Sequence, residues 1–215
     1  MSHPTGSPFG PDPVGATPLS EEALKGAIPL DMTTRGDLNR YERQNIGDAL
    51  PWALRYARLQ GPSEVLDFAF LFRLHRRMFG QVWTWAGTQR RRETNVGVDP
   101  AQIASRTKQA LDDALYWHEN ATFEVDELSV RIHFRLVDIH PFPNGNGRCT
   151  RLVADLYRHS IGSPFLPWGG VAASVDRGGA ARTRYIAAII EATKGDLQPL
   201  VDFARSEEPP ALATP

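Results

Sequence analysis

Apolar side chains recur along most of this chain at intervals of three and four, the period of an α-helix. Over 37–59, Leu38, Tyr41, Ile46, Leu50 and Leu54 are compatible with one inward face. Ser63 reads as the N-cap of a helix running to about residue 79, with Leu66, Phe70, Leu71 and Leu74 inward and Gly80 ending it. The same pattern predicts helices from 100 or 101 through 117, over 125–139, over 146–161 and over about 180–193, and a short one over 197–204. Between 83 and 99 it changes. Thr, Gln, Arg, Asn and Val around Gly87 and Gly97 predict a short extended or hairpin segment. The fold class is therefore mostly α, a helical bundle with one small β excursion.

Composition adjusts this picture at its edges. Residues 1–26 are rich in Pro, Gly and Ser and are expected to be a disordered tail, as are residues 206–215. That leaves 27–205 as one folded unit of the 215 residues. Hydrophobic residues make up 41%, and the formal net charge is −1, so no global field draws the chain to nucleic acid or an anionic membrane. Lysine occurs only at Lys25, Lys108 and Lys194. The single cysteine, Cys149, excludes an internal disulfide framework. No signal peptide or spanning segment is evident, so a soluble, cytoplasmic protein is expected.

The chemistry concentrates in His140-Pro141-Phe142-Pro143-Asn144-Gly145-Asn146-Gly147-Arg148. An apolar helix ends near Ile139, and two prolines prevent its continuation. Gly145-Asn146-Gly147 then opens the next helix, where backbone N–H groups and the helix dipole favour an anion, above all phosphate. Arg148 and Arg151 sit one turn apart beside those amides. His140 at the entrance is a candidate general base. Asn144 offers an oxygen to Mg²⁺ beside phosphate. Singly, each feature has a bland reading as a cap, a tight turn or a solvated face. In this order they point to phosphoryl or nucleotidyl transfer.

These residues closely resemble the signature of the Fic domain family, HPFx(D/E)GN(G/K)R, with Arg151 as the second arginine. F-G-Q-V-W-T-W-A-G-T-Q-R over 79–90 resembles the Fic segment leading into its flap. The stretch 34–46 resembles the subgroup labelled mobile mystery protein B, and the similarity covers about 28–200. The resemblance implies a Fic-type helical bundle with a short β-hairpin flap over the active site. It implies a protein adenylyltransferase that moves AMP from ATP, with Mg²⁺, to a Ser, Thr or Tyr hydroxyl of a target protein. His140 would deprotonate that hydroxyl. Gly145, Asn146 and Gly147 would hold phosphate, with the Asn146 side chain on the α-phosphate and Arg148 on the β or γ phosphate. Phe142 would anchor the loop. The flap over about 88–98, with Thr88, Gln89, Arg90, Thr94, Asn95 and Val96, would pair with the target backbone. A helix-turn-helix or antitoxin companion is a further expectation of the family.

Two departures matter. Asn144 stands where the family has Asp or Glu, which weakens the metal site. Loss of activity, leaving a non-catalytic binding module, is the alternative, as is transfer of another nucleotidyl or phosphoryl group. Many relatives carry an inhibitory helix, (S/T)xxxE(G/N), whose glutamate pairs with the second arginine. Glu42 is the candidate here, although Leu38 and Arg43 depart from the pattern. The run Arg90-Arg91-Arg92 reads as either solvated or target-steering. His75, His118, His133 and His159 lack metal-ligand spacing and read as structural or surface, with His133 a possible support for the loop. Trp83 and Trp85 read as core, and Cys149 lacks a base partner.

Overall fold

The computed structural model describes residues 21–29, 31–170 and 179–207. These form helices α1 (Glu21–Leu24), α2 (Arg35–Gln60), α3 (Pro62–Val65), α4 (Phe68–Phe79), α5 (Ile103–Glu119), α6 (Val125–Ile139), α7 (Asn146–Ser160), α8 (Ala180–Thr193) and α9 (Gln198–Arg205). A short 3-10 turn, Pro100–Gln102, leads into α5. Among the described residues no helix is long and apolar enough to cross a membrane.

The start of α2 is set by a capping box. The Asp37 amide donates to Thr34 Oγ1 at 3.1 Å, and the Thr34 amide donates to Asp37 Oδ2 at 3.0 Å. The inward stripe of α2 includes Ala49, Ala53 and Ala57, small residues that let it lie close on α4 and α7. The predicted single helix from Ser63 to 79 is instead two. Leu66 leaves the helical region, and Asp67 turns extended so that its side chain accepts from the Phe70 amide at 2.9 Å. The break buries Val65 and Leu66 on one side and Phe70 and Leu71 on the other.

Phe70, Leu74, Met78 and Phe79 of α4 meet Leu128, Ile132 and Leu136 of α6 and Val153 and Leu156 of α7 in the main core. A smaller core gathers Val130 and Ala154 against Trp168, Tyr185, Leu200 and Phe203. The α6–α7 hairpin thus stands between two cores, and the loop that joins its helices is held from both sides.

Two expectations change. Residues 21–26 are not tail: α1 packs with Ala23 buried, and Ala23 O accepts from Trp85 Nε1 at 2.9 Å. The expected tails over 1–20 and 208–215 lie outside the described residues. The β-hairpin flap is also replaced. Among the described residues the β pairing is an isolated antiparallel bridge, Ala27 to Trp83, while 88–98 is an irregular loop. The reason is Arg90. Its guanidinium donates to the carbonyls of Arg92 (2.8 Å) and Val98, acceptors that a cross-strand ladder would have used.

Candidate active site

Helix α6 ends where His140 adopts a left-handed conformation (φ 57, ψ 61) ahead of Pro141. A β-carbon there costs roughly 1–2 kcal/mol, so neighbours must hold it. Arg90 does so: its Nε donates to His140 O at 2.6 Å, and its backbone amide donates to Pro141 O at 2.9 Å. The Val98 amide adds a bond to Ile139 O at 3.3 Å. Gly97 lies so close that a β-carbon there would stand 2.6 Å from His140 Cβ. The flap loop and the motif are thereby fastened together.

Phe142 is fully buried, stacked on His75 at 3.8 Å and edge-on to Phe72 at 5.0 Å. Asn146 clasps the same residue: the Phe142 amide donates to Asn146 Oδ1 (2.9 Å), and Asn146 Nδ2 donates to Phe142 O (2.8 Å). The Asn146 side chain therefore closes the loop with both of its polar atoms. Gly145 (φ 78) passes so near Phe79 that a β-carbon would fall 2.7 Å from the ring. It is the N-cap of α7 and supplies no side-chain cap. The Cys149 amide already bonds Gly145 O (3.0 Å), so the amides before it form the helix's anion-facing turn.

The two arginines flank that turn. Arg151 Nη1 lies 3.5 Å from where a Gly147 β-carbon would be, and its guanidinium covers the Tyr185 ring at 5.2 Å. Arg148 covers Phe79 at 4.9 Å and pairs with Glu42 at 2.5 Å. Glu42 is buried and also accepts from Trp83 Nε1 at 2.8 Å. The glutamate singled out from the sequence is thus an ion-pair partner within the site. Its partner is the first arginine, Arg148, and not the expected Arg151, because α2 crosses above the start of α7 with Trp83 wedged beside it.

His140 carries its own tautomer. Val137 O can only accept, so Nδ1, 3.2 Å away, holds the proton and Nε2 keeps the lone pair. Burial, helped by the Arg90 charge, pushes its pKa down to about 4. The ring is neutral at neutral pH, as a proton acceptor must be.

Other candidates fall elsewhere. Arg90 is buried inside the flap loop and unavailable for target docking, and Gln89 is tied by Nε2 to Pro100 O at 2.8 Å. Thr88, Asn95 and Val96 are exposed, and Thr94 is half-buried. Asn144 Oδ1 accepts from the Gly145 amide at 2.6 Å, so the oxygen offered to Mg²⁺ is turned onto the loop itself. Among the described residues no group of three or more His, Cys, Asp or Glu could hold a metal ion. The loop thus lacks a carboxylate donor for Mg²⁺. Cys149 is buried and its thiol is pushed far up, which removes it as a nucleophile.

Two histidines have larger roles than spacing revealed. Thr150 Oγ1 donates to Asn146 O (2.9 Å), so His133 Nδ1–H donates to Thr150 Oγ1 (2.9 Å) and Nε2 accepts from Tyr185 OH (3.0 Å). This chain ties α8 to the first residue of α7. His75 links the flap root to Asn144 O, at 3.0 Å on each side. The one signal in the sequence was a histidine on the apolar stripe of α4.

These rings make the protein acid-sensitive. Burial lowers His75 to about 3, His140 to about 4 and His133 well below the usual value. Each is neutral when folded and binds a proton near pH 6.5 when unfolded, so stability falls as pH drops below about 6.5. Asp155, raised by burial to about 6, and Asp138, also raised by burial, act with the opposite sign, but as two groups against three. The melting temperature is therefore expected to decline steadily from pH 7 to pH 5; a flat or rising profile by calorimetry would contradict neutral buried rings.

Comparison with known proteins agrees with this architecture. Residues 65–157, which run from the end of α3 into α7 and include the whole motif, match the Fic/DOC family. The chain is similar to the protein adenylyltransferase fic-1 of Caenorhabditis elegans, 28% identical over 195 residues and covering 86% of this chain. It spans only 36% of that relative's length. Among solved structures, the N-terminal FIC domain of Bep8 from Bartonella sp. 1-1C superposes with a TM-score of 0.63 at 16% identity, covering 89% of this chain and 98% of that one. BepC of Bartonella tribocorum, solved with bound AMPPNP, gives 0.58 at 19% identity, covering 81% and 87%. At such identities the likeness is one of fold. With the matched segment, the motif and the fold in agreement, residues 65–157 of this chain form a Fic/DOC family segment.

Proposed function

We propose that this chain is a protein adenylyltransferase, moving AMP from ATP to a Ser, Thr or Tyr hydroxyl of a target protein. The observation that carries the reading is the pairing of a neutral His140, proton on Nδ1 and lone pair on Nε2, with the uncapped amide turn of α7. The name of the nematode relative and the AMPPNP held by BepC support it.

In this reading the amides of Gly145, Asn146 and Gly147 bind phosphate oxygens, with Arg148 and Arg151 as charge clamps. The target oxygen attacks the α-phosphorus while His140 Nε2 takes its proton. The new O–P bond forms as the bond to the β-bridging oxygen breaks, and pyrophosphate departs. Incoming phosphates raise the depressed pKa of His140 toward the working range. No step is assigned to Mg²⁺, because Asn144 Oδ1 faces the loop. The exposed Thr88, Asn95 and Val96, with Thr94, form the surface offered to a target.

The test uses ATP labelled at the α-phosphate and, in parallel, at the γ-phosphate, incubated with the protein and bacterial lysate. Protein-bound label from the α position alone is expected. Label from γ alone indicates a kinase, and label from neither indicates a binding module.

Glu42 completes the reading as a brake, since a carboxylate on Arg148 competes with the nucleotide. Glu42→Gln keeps an acceptor for Trp83 and removes the charge. It is expected to raise kcat/KM for ATP by about tenfold, about 1.4 kcal/mol of relieved ion pairing. A folded variant with wild-type kinetics would remove Glu42 from regulation.

A further inference from the structure

His75 lies on the inward face of α4, fully buried between Phe142, Phe79 (4.7 Å) and Trp85 (6.2 Å). Both of its ring nitrogens are used. The Gly87 amide can only donate, so Nδ1, 3.0 Å away, must be the acceptor. The proton then sits on Nε2, the nitrogen 3.0 Å from Asn144 O, which can only accept. Gly87, at the root of the flap loop, thereby dictates the tautomer that the motif loop requires. Burial pushes the ring down to about 3, which keeps it in this neutral form.

The consequence runs through the next peptide. The Asn144–Gly145 bond is planar and trans, so its C=O and N–H point in opposite directions. With the carbonyl fixed on His75, the Gly145 N–H must face away from the core. That amide donates to Asn144 Oδ1 at 2.6 Å, so a phosphate oxygen would take it by displacing that side-chain oxygen. Glycine at 145 puts little steric resistance against rotation of this peptide plane. The restraint comes from His75.

We propose that His75 is a positioning residue for nucleotide phosphate, locking the Asn144–Gly145 peptide so that the Gly145 amide is presented to the anion. The inference rests on the phosphate-binding reading of the loop. It adds that the flap root sets the orientation of the loop's first amide.

The experiment compares wild type, His75→Phe and His75→Gln in the full chain, using ATP as the probe. His75→Phe keeps a flat ring against Phe142 and removes both bonds. Its Kd for ATP is expected to rise about tenfold, with kcat for AMP transfer within about twofold of wild type. His75→Gln carries both a donor and an acceptor, and is expected to restore Kd to within about threefold. A merely structural role would lower the melting temperature of both variants and leave the Kd of the folded protein unchanged. Independently, the ¹⁵N shifts of the wild-type imidazole are expected to show the proton on Nε2; a proton on Nδ1 would overturn the proposal even if His75→Phe does not fold. Wild-type ATP affinity in folded His75→Phe would also overturn it. If ATP binds and responds to His75 but no protein is labelled, the positioning role stands and the transferase reading fails. If wild type binds no ATP, both fall.

Discussion

Replacing His140 by alanine is expected to lower AMP transfer by about 10²–10⁴-fold, the usual worth of a positioned general base. The fold should survive, because the clamp on this residue grips its carbonyl and not its ring. The left-handed backbone already carries a β-carbon in wild type, and the lost bond to Val137 O costs about 0.5–1.5 kcal/mol, small against a typical domain's stability. ATP affinity should change by no more than about threefold, since the phosphates are held by α7 amides and arginines. A folded variant that retained transfer within about threefold of wild type would show that the proton leaves by another route.

The second large effect concerns Arg90 and is thermodynamic. Its guanidinium satisfies carbonyls of Arg92, Val98 and His140 in a buried setting. Burial lowers its pKa against the pull of the Asp99 and Glu93 charges, but the guanidinium stays charged, and a buried charge needs those acceptors. Arg90→Met keeps much of the stem and strands the acceptors. Charged hydrogen bonds contribute about 1.5–3 kcal/mol each, with strong non-additivity, so a loss of about 3–4 kcal/mol is expected. For a chain of this size that lowers Tm by about 10 °C. Arg90→Lys should recover little, because an ammonium cannot fork toward three carbonyls on two separate loops. A Tm within about 2 °C of wild type for Arg90→Met would mean the loop is held elsewhere.

Arg90 also marks where the sequence stops being legible. Inside the run Arg90-Arg91-Arg92 nothing distinguishes the buried member from its exposed neighbours; the distinction comes from carbonyls as far away as His140. The hairpin expectation failed for the same reason, since local β propensity around Gly97 yields to a tertiary clamp. By contrast, α6 and α8 have the predicted bounds, because their apolar period and flanking breakers act locally. The helix over 63–79 was misread at one residue: Asp67 competes as a cap inside an otherwise periodic stretch. The motif loop was readable as an anion turn from its prolines and glycines. His75 was not assigned to it, because its partners lie at Gly87 and Asn144, outside α4.

The bond between Glu42 and Arg148 joins residues 106 apart, whereas the motif itself is the short connection between α6 and α7. The catalytic geometry is thus encoded by neighbours, and its restraint arrives from a distant part of the polypeptide. Under the proposed function, any partial detachment of α2 that parts Glu42 from Arg148 while the short α6–α7 connection stays folded would free the loop of its brake.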